Sequence, residues 1–452
     1  MRVLIISSNT LPASPSGPAY VAGAALAAGH EVQVFERLFA QDLRAELRAV
    51  LHDFRPDIIG ISIRLVFGDE LDLQAPFGTR HTDLRPRVKE IVEIVQQFSS
   101  AVIVLGGPGF NYYAIDWLKY LDLDYGIRGE GEVSFPLFLE RLERTGDLAT
   151  IPGCVIRRGD GFEDIPLRPV EDLDRTPLPA YELFGMERYS GAGITPGVFT
   201  KRGCAFDCTY CPYSKIEGKR YRLKSPQRVV AEIRRIQRHT PGRRVMFCDN
   251  NFNVPKSHAE AVCGTLISEG MRIQWGTGDL RPAGITADFC ELMQDSGCFY
   301  ANLAIESASA PMLKRMRRGY TVRQVREALE AMSRSGIPFG ASLMFGAPGE
   351  TPETIAQTLQ VLEEYAIPGG VWVTIGIYLW TDLQDVVTQL RTQGTLTDQD
   401  LFSGQVYLSP ALSRPYLEEL LIELKGKPGY EVQVNKPTSL FAGEEIPWPV
   451  RQ

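Results

Sequence analysis

Three cysteines, Cys204, Cys208 and Cys211, fall in one short stretch as CxxxCxxC, whereas Cys154, Cys248, Cys263, Cys290 and Cys298 are scattered. Thiolates are soft ligands suited to iron–sulfur clusters. Three of them can hold three irons of a cubane and leave the fourth iron open. An open iron can chelate the amino and carboxylate groups of a small molecule. Two other readings compete. A structural zinc site wants four closed ligands, and neither a fourth nearby Cys nor a His pair accompanies the triplet. Coincidence is disfavoured because the other five cysteines are dispersed. Eight cysteines in 452 residues are too sparse for a disulfide scaffold.

Other residues with chemical potential sit just after apolar runs. Asp249 and Asn250 follow one run and could hold a ligand or merely cap the next turn. Glu306 and Gly346 follow two more, and Asp279 lies within GDLRP (278–282), whose Arg281 would bind a carboxylate or pair with a surface acid. Lys314, Arg317 and Arg318 read as a solvated helix end, and Cys248 and Cys298, next to apolar residues, as buried hydrophobes. Near the N-terminus, three small or glycine-rich stretches also follow apolar runs: Ser7-Ser8-Asn9, Gly106-Gly107-Pro108-Gly109 and Gly129-Glu130-Gly131-Glu132. Glycine allows a sharp turn or a close approach to a ligand, so each is either a tight turn or part of a cradle. Their spacing is not GxGxxG, which disfavours a nicotinamide-dependent dehydrogenase.

The elements that would position these residues alternate strand and helix. In residues 1–145, strand patterns at Arg2–Ile6, Glu31–Phe35, Asp57–Ile63, Ala101–Leu105 and Asp124–Arg128 are separated by helical patterns. That alternation predicts a doubly wound parallel sheet, with ligands outside the carboxyl ends of its strands. Residues 146–196 are proline-rich and read as a linker with a small hairpin near 153–162. From 197 to 380 the alternation resumes, with strands at Arg244–Cys248, Arg272–Thr277, Phe299–Ile305, Phe339–Phe345 and Val371–Tyr378. This predicts a partial or full parallel (β/α) barrel with its chemistry at the carboxyl ends of the strands. The Cys loop, Asp249, Asp279, Glu306 and Gly346 all fall at such ends. Residues 381–452 read as a helical and irregular extension carrying no chemical motif.

CxxxCxxC with Tyr210 before its last cysteine is the signature of the radical S-adenosylmethionine superfamily, which this chain resembles. FCDNNF (247–252), NLAIES (302–307) and SLMFGAPGET (342–351) are similar to the motifs that superfamily places around its nucleoside ligand. GGPG followed by RGEGE resembles the Rossmann-like cobalamin-binding domain at the front of many of these enzymes. The resemblance implies a [4Fe-4S] cluster on Cys204, Cys208 and Cys211. It implies S-adenosylmethionine near Tyr210, Asp249, Asn250, Glu306, Ser307 and Gly346. It also implies cobalamin at Ser7, Ser8, Gly106, Gly107, Pro108, Gly129, Glu130 and Gly131. The DxHxxG that supplies a histidine to cobalt elsewhere is absent, and His30, His52, His81, His239 and His258 lie outside such a context. The cobalt would then have no protein His ligand.

The implied activity is cobalamin-dependent methylation of an unactivated carbon. Reductive cleavage of S-adenosylmethionine would give a 5′-deoxyadenosyl radical that takes the substrate hydrogen, and methylcobalamin would supply the methyl group. A cyclisation or rearrangement, or a radical enzyme whose first domain no longer binds cobalamin, are the alternatives. A methylthio-transfer enzyme is weaker, since residues 1–150 bring no second Cys cluster. A non-enzymatic sensor leaves the nucleoside motifs unexplained. The expected partners are a small-molecule substrate and an electron donor such as flavodoxin or ferredoxin. The charge, 48 − 55 = −7, disfavours a generally basic nucleic-acid binder. The apolar run Val371–Trp380 is about half the ~20 residues of a membrane span. The N-terminus lacks a signal peptide's apolar region and cleavage site, so the expected location is cytoplasmic.

Overall fold

The apolar run Val3-Leu4-Ile5-Ile6 cannot leave either side of a strand in water, so its strand must be covered on both faces. In the computed structural model all four residues are at most 2% exposed. Described are residues 1–434 except 11–12, 72–78, 145, 241, 382–383, 395 and 397–400. Their contacts divide into two units. The first is Met1–Gly197 with Ala231–Gly242, and the second is Val198–Val230 with the described residues from Arg243 onward.

The first unit is built on a seven-stranded sheet. Its order is Glu31–Glu36, Arg2–Ser7, Ile58–Ser62, Val102–Gly106, Tyr125–Ile127, Cys154–Arg158, Gly161–Asp164. The first five strands are parallel. The chain order reverses between Arg2–Ser7 and Ile58–Ser62, the kind of switch point where open α/β sheets leave a crevice for ligands. The last two strands run antiparallel. They belong to residues 146–196, set apart above as a linker. The rest of that stretch also packs inward. The Ala180 amide donates to the Ala19 carbonyl at 2.9 Å, and Tyr181 and Tyr189 are buried. Proline-rich extended chain has no hydrophobic period, which is why pattern alone hides its contribution.

The second unit carries a seven-stranded sheet in chain order, as in an incomplete barrel: Gly197–Val198, Arg244–Phe247, Gln274–Leu280, Cys298–Glu306, Phe339–Phe345, Val371–Ile375, Tyr430–Val434. The pairs from Arg244–Phe247 onward are parallel. Helices Lys256–Ser268, Ala287–Asp295, Val322–Ser335 and Pro352–Glu363 connect the inner strands. Thr321 and Thr351 each form a capping box that fixes where a helix starts. Gly336, at φ 72°, ends the helix before it. Phe247, Phe252 and Trp275 form a packed aromatic trio, with centroids 4.9 to 5.0 Å apart. The final strand, Tyr430–Val434, lies where the sequence suggested only helical and irregular chain. Val371–Tyr378 is not one strand either. Gly376, at φ 89°, ends it, and Ile377–Tyr378 pairs instead with Val406–Tyr407. Among the described residues no helix is long and apolar enough to cross a membrane.

Candidate cofactor sites

The chain enters the cysteine loop through a buried ion pair. Lys201 Nζ lies 3.0 Å from Asp249 Oδ2, and both side chains are at most 1% exposed. Asp249 also accepts from the Thr200 amide (2.7 Å), the Lys201 amide (3.2 Å) and the Thr200 hydroxyl. Its carboxylate is thus committed to the backbone just before the loop. Asn250 Nδ2 donates to Glu217 Oε2 at 2.8 Å, and that oxygen accepts from the Gly203 amide at 3.1 Å. Both residues expected at S-adenosylmethionine therefore brace the loop. Gly203, at φ 88°, would place a Cβ 2.3 Å from the Arg220 carbonyl, so only glycine fits before Cys204. The far end of the loop is also held. The Thr209 amide donates to the Met316 carbonyl (3.2 Å), the Val386 amide to the Thr209 carbonyl (3.2 Å), and buried Gln384 Nε2 to the Tyr210 carbonyl (2.5 Å).

Two of the three thiols, Cys204 and Cys208, meet polar side chains that pattern alone did not single out. Asn251 Nδ2 is 3.6 Å and the Tyr221 hydroxyl 3.9 Å from Cys204 Sγ. Arg318 Nη1 is 3.5 Å from Cys208 Sγ. Burial pushes the Cys211 thiol up to about 12 and also raises Cys204. Such thiols ionise on binding metal, which displaces their protons. Among the described residues no three His, Cys, Asp or Glu side chains converge where a single ion would be held. Mononuclear zinc therefore lacks a ligand set, whereas a cubane offers separate irons to separate thiolates.

Arg318 corrects the reading of 314–318 as a solvated helix end. Arg317, at φ 54°, breaks the helical path, and Arg318 turns inward to 6% exposure. Its guanidinium donates to the Tyr210 hydroxyl (2.7 Å), the Ala304 carbonyl (2.7 Å) and the Tyr320 hydroxyl (2.9 Å), and lies 4.0 Å from Glu306 Oε1. Glu306 itself has φ 61°, beside a register shift in its strand. A non-glycine residue held in the left-handed region at a strand end is a mark of functional constraint. Burial raises its carboxyl, and the Arg318 charge opposes that rise.

Arg281 is 2% exposed. It stacks 3.5 Å from the centroid of Phe206, inside the cysteine loop, and donates Nη2 to the Arg318 carbonyl. Neither a surface acid nor any other carboxylate holds it, and its Nη1 has no hydrogen-bond partner among the described residues. Arg318 lies 4.0 Å from the half-buried Glu306 and its charge also acts on Asp279, whereas Asp249 is matched by Lys201. Arg281, a buried cation beside the loop with an orphaned donor, fits the negative charge of a cluster carried on three thiolates.

The other predicted residues divide. Gly346, at φ 96°, turns tightly against Leu408 and Gly376. Glu350, fully buried, accepts from Thr354 Oγ1 at 2.8 Å and from the Gly346 and Ala347 amides. Asp279 is exposed at its strand end beside Gly278, where a Cβ would meet nothing within 4 Å, so there is open space there. Crowding by protein pushes the Asp279 carboxyl up to about 7, with the Glu306 charge adding to the rise. Ser307 is committed to the protein interior. It is fully buried and shares a hydrogen bond with Thr358 Oγ1 at 3.0 Å. Cys248 is exposed rather than buried, because alternation along its strand buries Val245 and Phe247 instead. Cys298 is buried as expected.

In the first unit the expected cobalamin loops are linked along one sheet edge, mainly through backbone. The Ser8 amide and hydroxyl donate to the Ser62 carbonyl (3.2 and 2.8 Å). The Ile63 amide donates to the Gly106 carbonyl (2.7 Å), and the Gly109 amide to the Ile63 carbonyl (2.9 Å). The Gly129 amide donates to Asn111 Oδ1 at 2.9 Å. Gly107, at φ 97°, would bring a Cβ within 2.5 Å of the Ile63 carbonyl, and Pro108 starts a short helix. Ser7 is buried, Gly131 packs on Val21, and Glu130 Oε2 accepts from the Val170 amide at 2.6 Å. Backbone groups and glycines in close approach supply much of this edge, which suits a bulky ligand. His30 begins a strand at the opposite edge, and His52 is on the surface beside Asp53.

Two family models match the chain, the radical SAM superfamily over residues 198–362 and the B12 binding domain over residues 2–139. An uncharacterised methyltransferase of Pyrococcus horikoshii is 27% identical over 358 residues, 78% of this chain and 74% of that protein. An anaerobic magnesium-protoporphyrin IX monomethyl ester cyclase of Rubrivivax gelatinosus is 24% identical, over 85% of this chain and 69% of that protein. Among solved structures, the radical S-adenosylmethionine methyltransferase TsrM from Kitasatospora setae, with tryptophan and an analogue of S-adenosylmethionine bound, superposes with a TM-score of 0.80. It has 19% identity and covers 96% of this chain and 91% of its own.

Proposed function

We propose that this chain, which belongs to the radical SAM superfamily and carries a B12-binding domain, is a cobalamin-dependent C-methyltransferase acting on a small molecule. When bound, its three cofactors supply a low-potential electron, a sulfonium to be cleaved and a methyl carrier. Cys204, Cys208 and Cys211 hold the cluster. Glu306, Tyr210 and Gly346, at the carboxyl ends of the strands, would hold S-adenosylmethionine. Asp249, Asn250 and Ser307 act one step away, by fixing the loop and the strand end. Ser7, Ser8, Gly106, Gly107, Pro108, Gly129, Glu130 and Gly131 form the backbone-lined edge for cobalamin. The electron comes from an acidic carrier such as flavodoxin or ferredoxin, in the cytoplasm.

The observation that carries this reading is the convergence of Arg318, Arg281, Asn251 and Tyr221 on the three-cysteine loop. Methyl transfer rather than cyclisation is supported by the methyltransferase among the relatives, and the cyclase among them makes the discriminating experiment specific. Anaerobic protein loaded with cluster and cobalamin is given S-adenosylmethionine carrying a trideuterated methyl group and a panel of candidate small molecules. The expected product is heavier by one labelled methyl group. A ring-closed product without label would establish the cyclase chemistry instead.

A further inference from the structure

Arg318 touches the cysteine loop twice, through the Cys208 sulfur and through the hydroxyl of Tyr210. Arg281 covers Phe206, between Cys204 and Cys208, and is tied to Arg318 by its carbonyl. Both arginines are almost wholly out of water, so solvent does little to screen their charge. A brace for Tyr210 alone would need one neutral donor. Two buried cations beside the loop, one of them 4.0 Å from the Glu306 carboxylate, are more than bracing requires, and burying charge is costly unless something nearby answers it.

We propose that Arg318, with Arg281 behind it, sets the reduction potential of the cluster held by Cys204, Cys208 and Cys211, raising it into the range a physiological donor can reach. This rests on the cluster reading above. Reduction adds one electron to the cluster. No bond forms or breaks, and the arginines keep their protons. A fixed positive charge beside a thiolate ligand favours the more electron-rich state, and hydrogen bonds to cluster sulfurs tune potential in the same direction. Asn251 and Tyr221 donate to Cys204 without charge, so their effect is smaller. Arg318 and Arg281 are thus positioning residues for electron uptake.

The test is an anaerobic redox titration of the full chain, reconstituted with iron and sulfide, without S-adenosylmethionine, and read by visible and electron paramagnetic resonance spectra. At the potential where the wild-type cluster is half reduced, Arg318→Gln is expected to lower the reduced-to-oxidised ratio about tenfold, a midpoint about 59 mV more negative. Arg318→Lys keeps the charge and is expected to stay within about threefold of wild type, while Arg281→Gln falls between the two. Unchanged midpoints in Arg318→Gln and Arg281→Gln, at wild-type iron and sulfide content, overturn the proposal. If Arg318→Gln fails to hold a cluster, Arg281→Gln decides by the same criterion. A wild-type chain that takes up no iron and sulfide overturns the cluster reading itself, and this inference with it.

Discussion

Around Cys204, Cys208 and Cys211 the second unit commits buried and half-buried side chains: two arginines, three carboxylates, a lysine, two asparagines and three tyrosines, most of them hydrogen-bonded to one another or to the loop. Along the carboxyl edge of the first unit, backbone groups bond loop to loop alongside the Ser8, Asn111 and Glu130 side chains, with glycines where a Cβ would collide. The contrast follows from what each site must do. A site that holds charge and moves an electron needs fixed charges in a dry setting. A site for a large ligand needs open edge and close backbone approach, and side chains would obstruct it.

Replacing the cysteines should separate the two regions most sharply. Cys204→Ala, Cys208→Ala or Cys211→Ala is expected to abolish cluster loading, read as iron and sulfide per chain, while cobalamin binding by visible spectrum persists. Loss of both together would break the comparison. In the first unit, Gly107→Ala should act in the opposite sense. A Cβ at φ 97°, 2.5 Å from a carbonyl oxygen, is expected to cost about 2–3 kcal/mol and to release cobalamin, with iron content unchanged. Equal cobalamin retention in wild type and variant would show that this turn is not part of the cradle.

Glu350 gives a pH signature. Burial pushes its carboxyl up to about 7, above the ordinary 4.5. The folded state therefore binds more protons than the unfolded one between those values, so stability is highest below about 4.5 and falls as pH rises to about 7. The loss is up to about 3 kcal/mol. Glu350→Gln is expected to flatten part of that decline in melting temperature between pH 5 and 8, and an unchanged slope would contradict the assignment. Asp279 shares the direction, so some slope should remain. The smallest effect expected is that of Ser307→Ala. Losing its bond to Thr358 should cost about 1 kcal/mol of stability and leave the affinity for S-adenosylmethionine unchanged. A large drop in that affinity would return Ser307 to the ligand.

The inner parallel strands of both sheets were legible because they are apolar and largely buried; Phe339–Phe345 was read to the residue. The cysteine loop was legible because spacing and residue type are themselves the chemistry. Three features were not. Arg318 sits in a run of cations that patterns like a solvated face, and only the turn at Arg317 sends it inward. Asp249 was placed at the ligand because it ends a strand, yet Thr200 and Lys201, far from it in sequence, take its carboxylate. Tyr430–Val434 is a five-residue edge strand, too short for its alternation to stand out, and its place depends on pairing with Val371–Ile375 and on the preceding helix Arg414–Gly426.

The account stands on an iron cluster with one free corner in the second unit. Its most direct measurement is the electron paramagnetic resonance spectrum of the anaerobically reconstituted, dithionite-reduced chain, before and after S-adenosylmethionine is added. The expected result is about four irons per chain and a reduced-cluster signal that changes shape when the sulfonium binds. A loaded cluster whose signal ignores S-adenosylmethionine, or a chain that binds no iron with all three thiols intact, would contradict it.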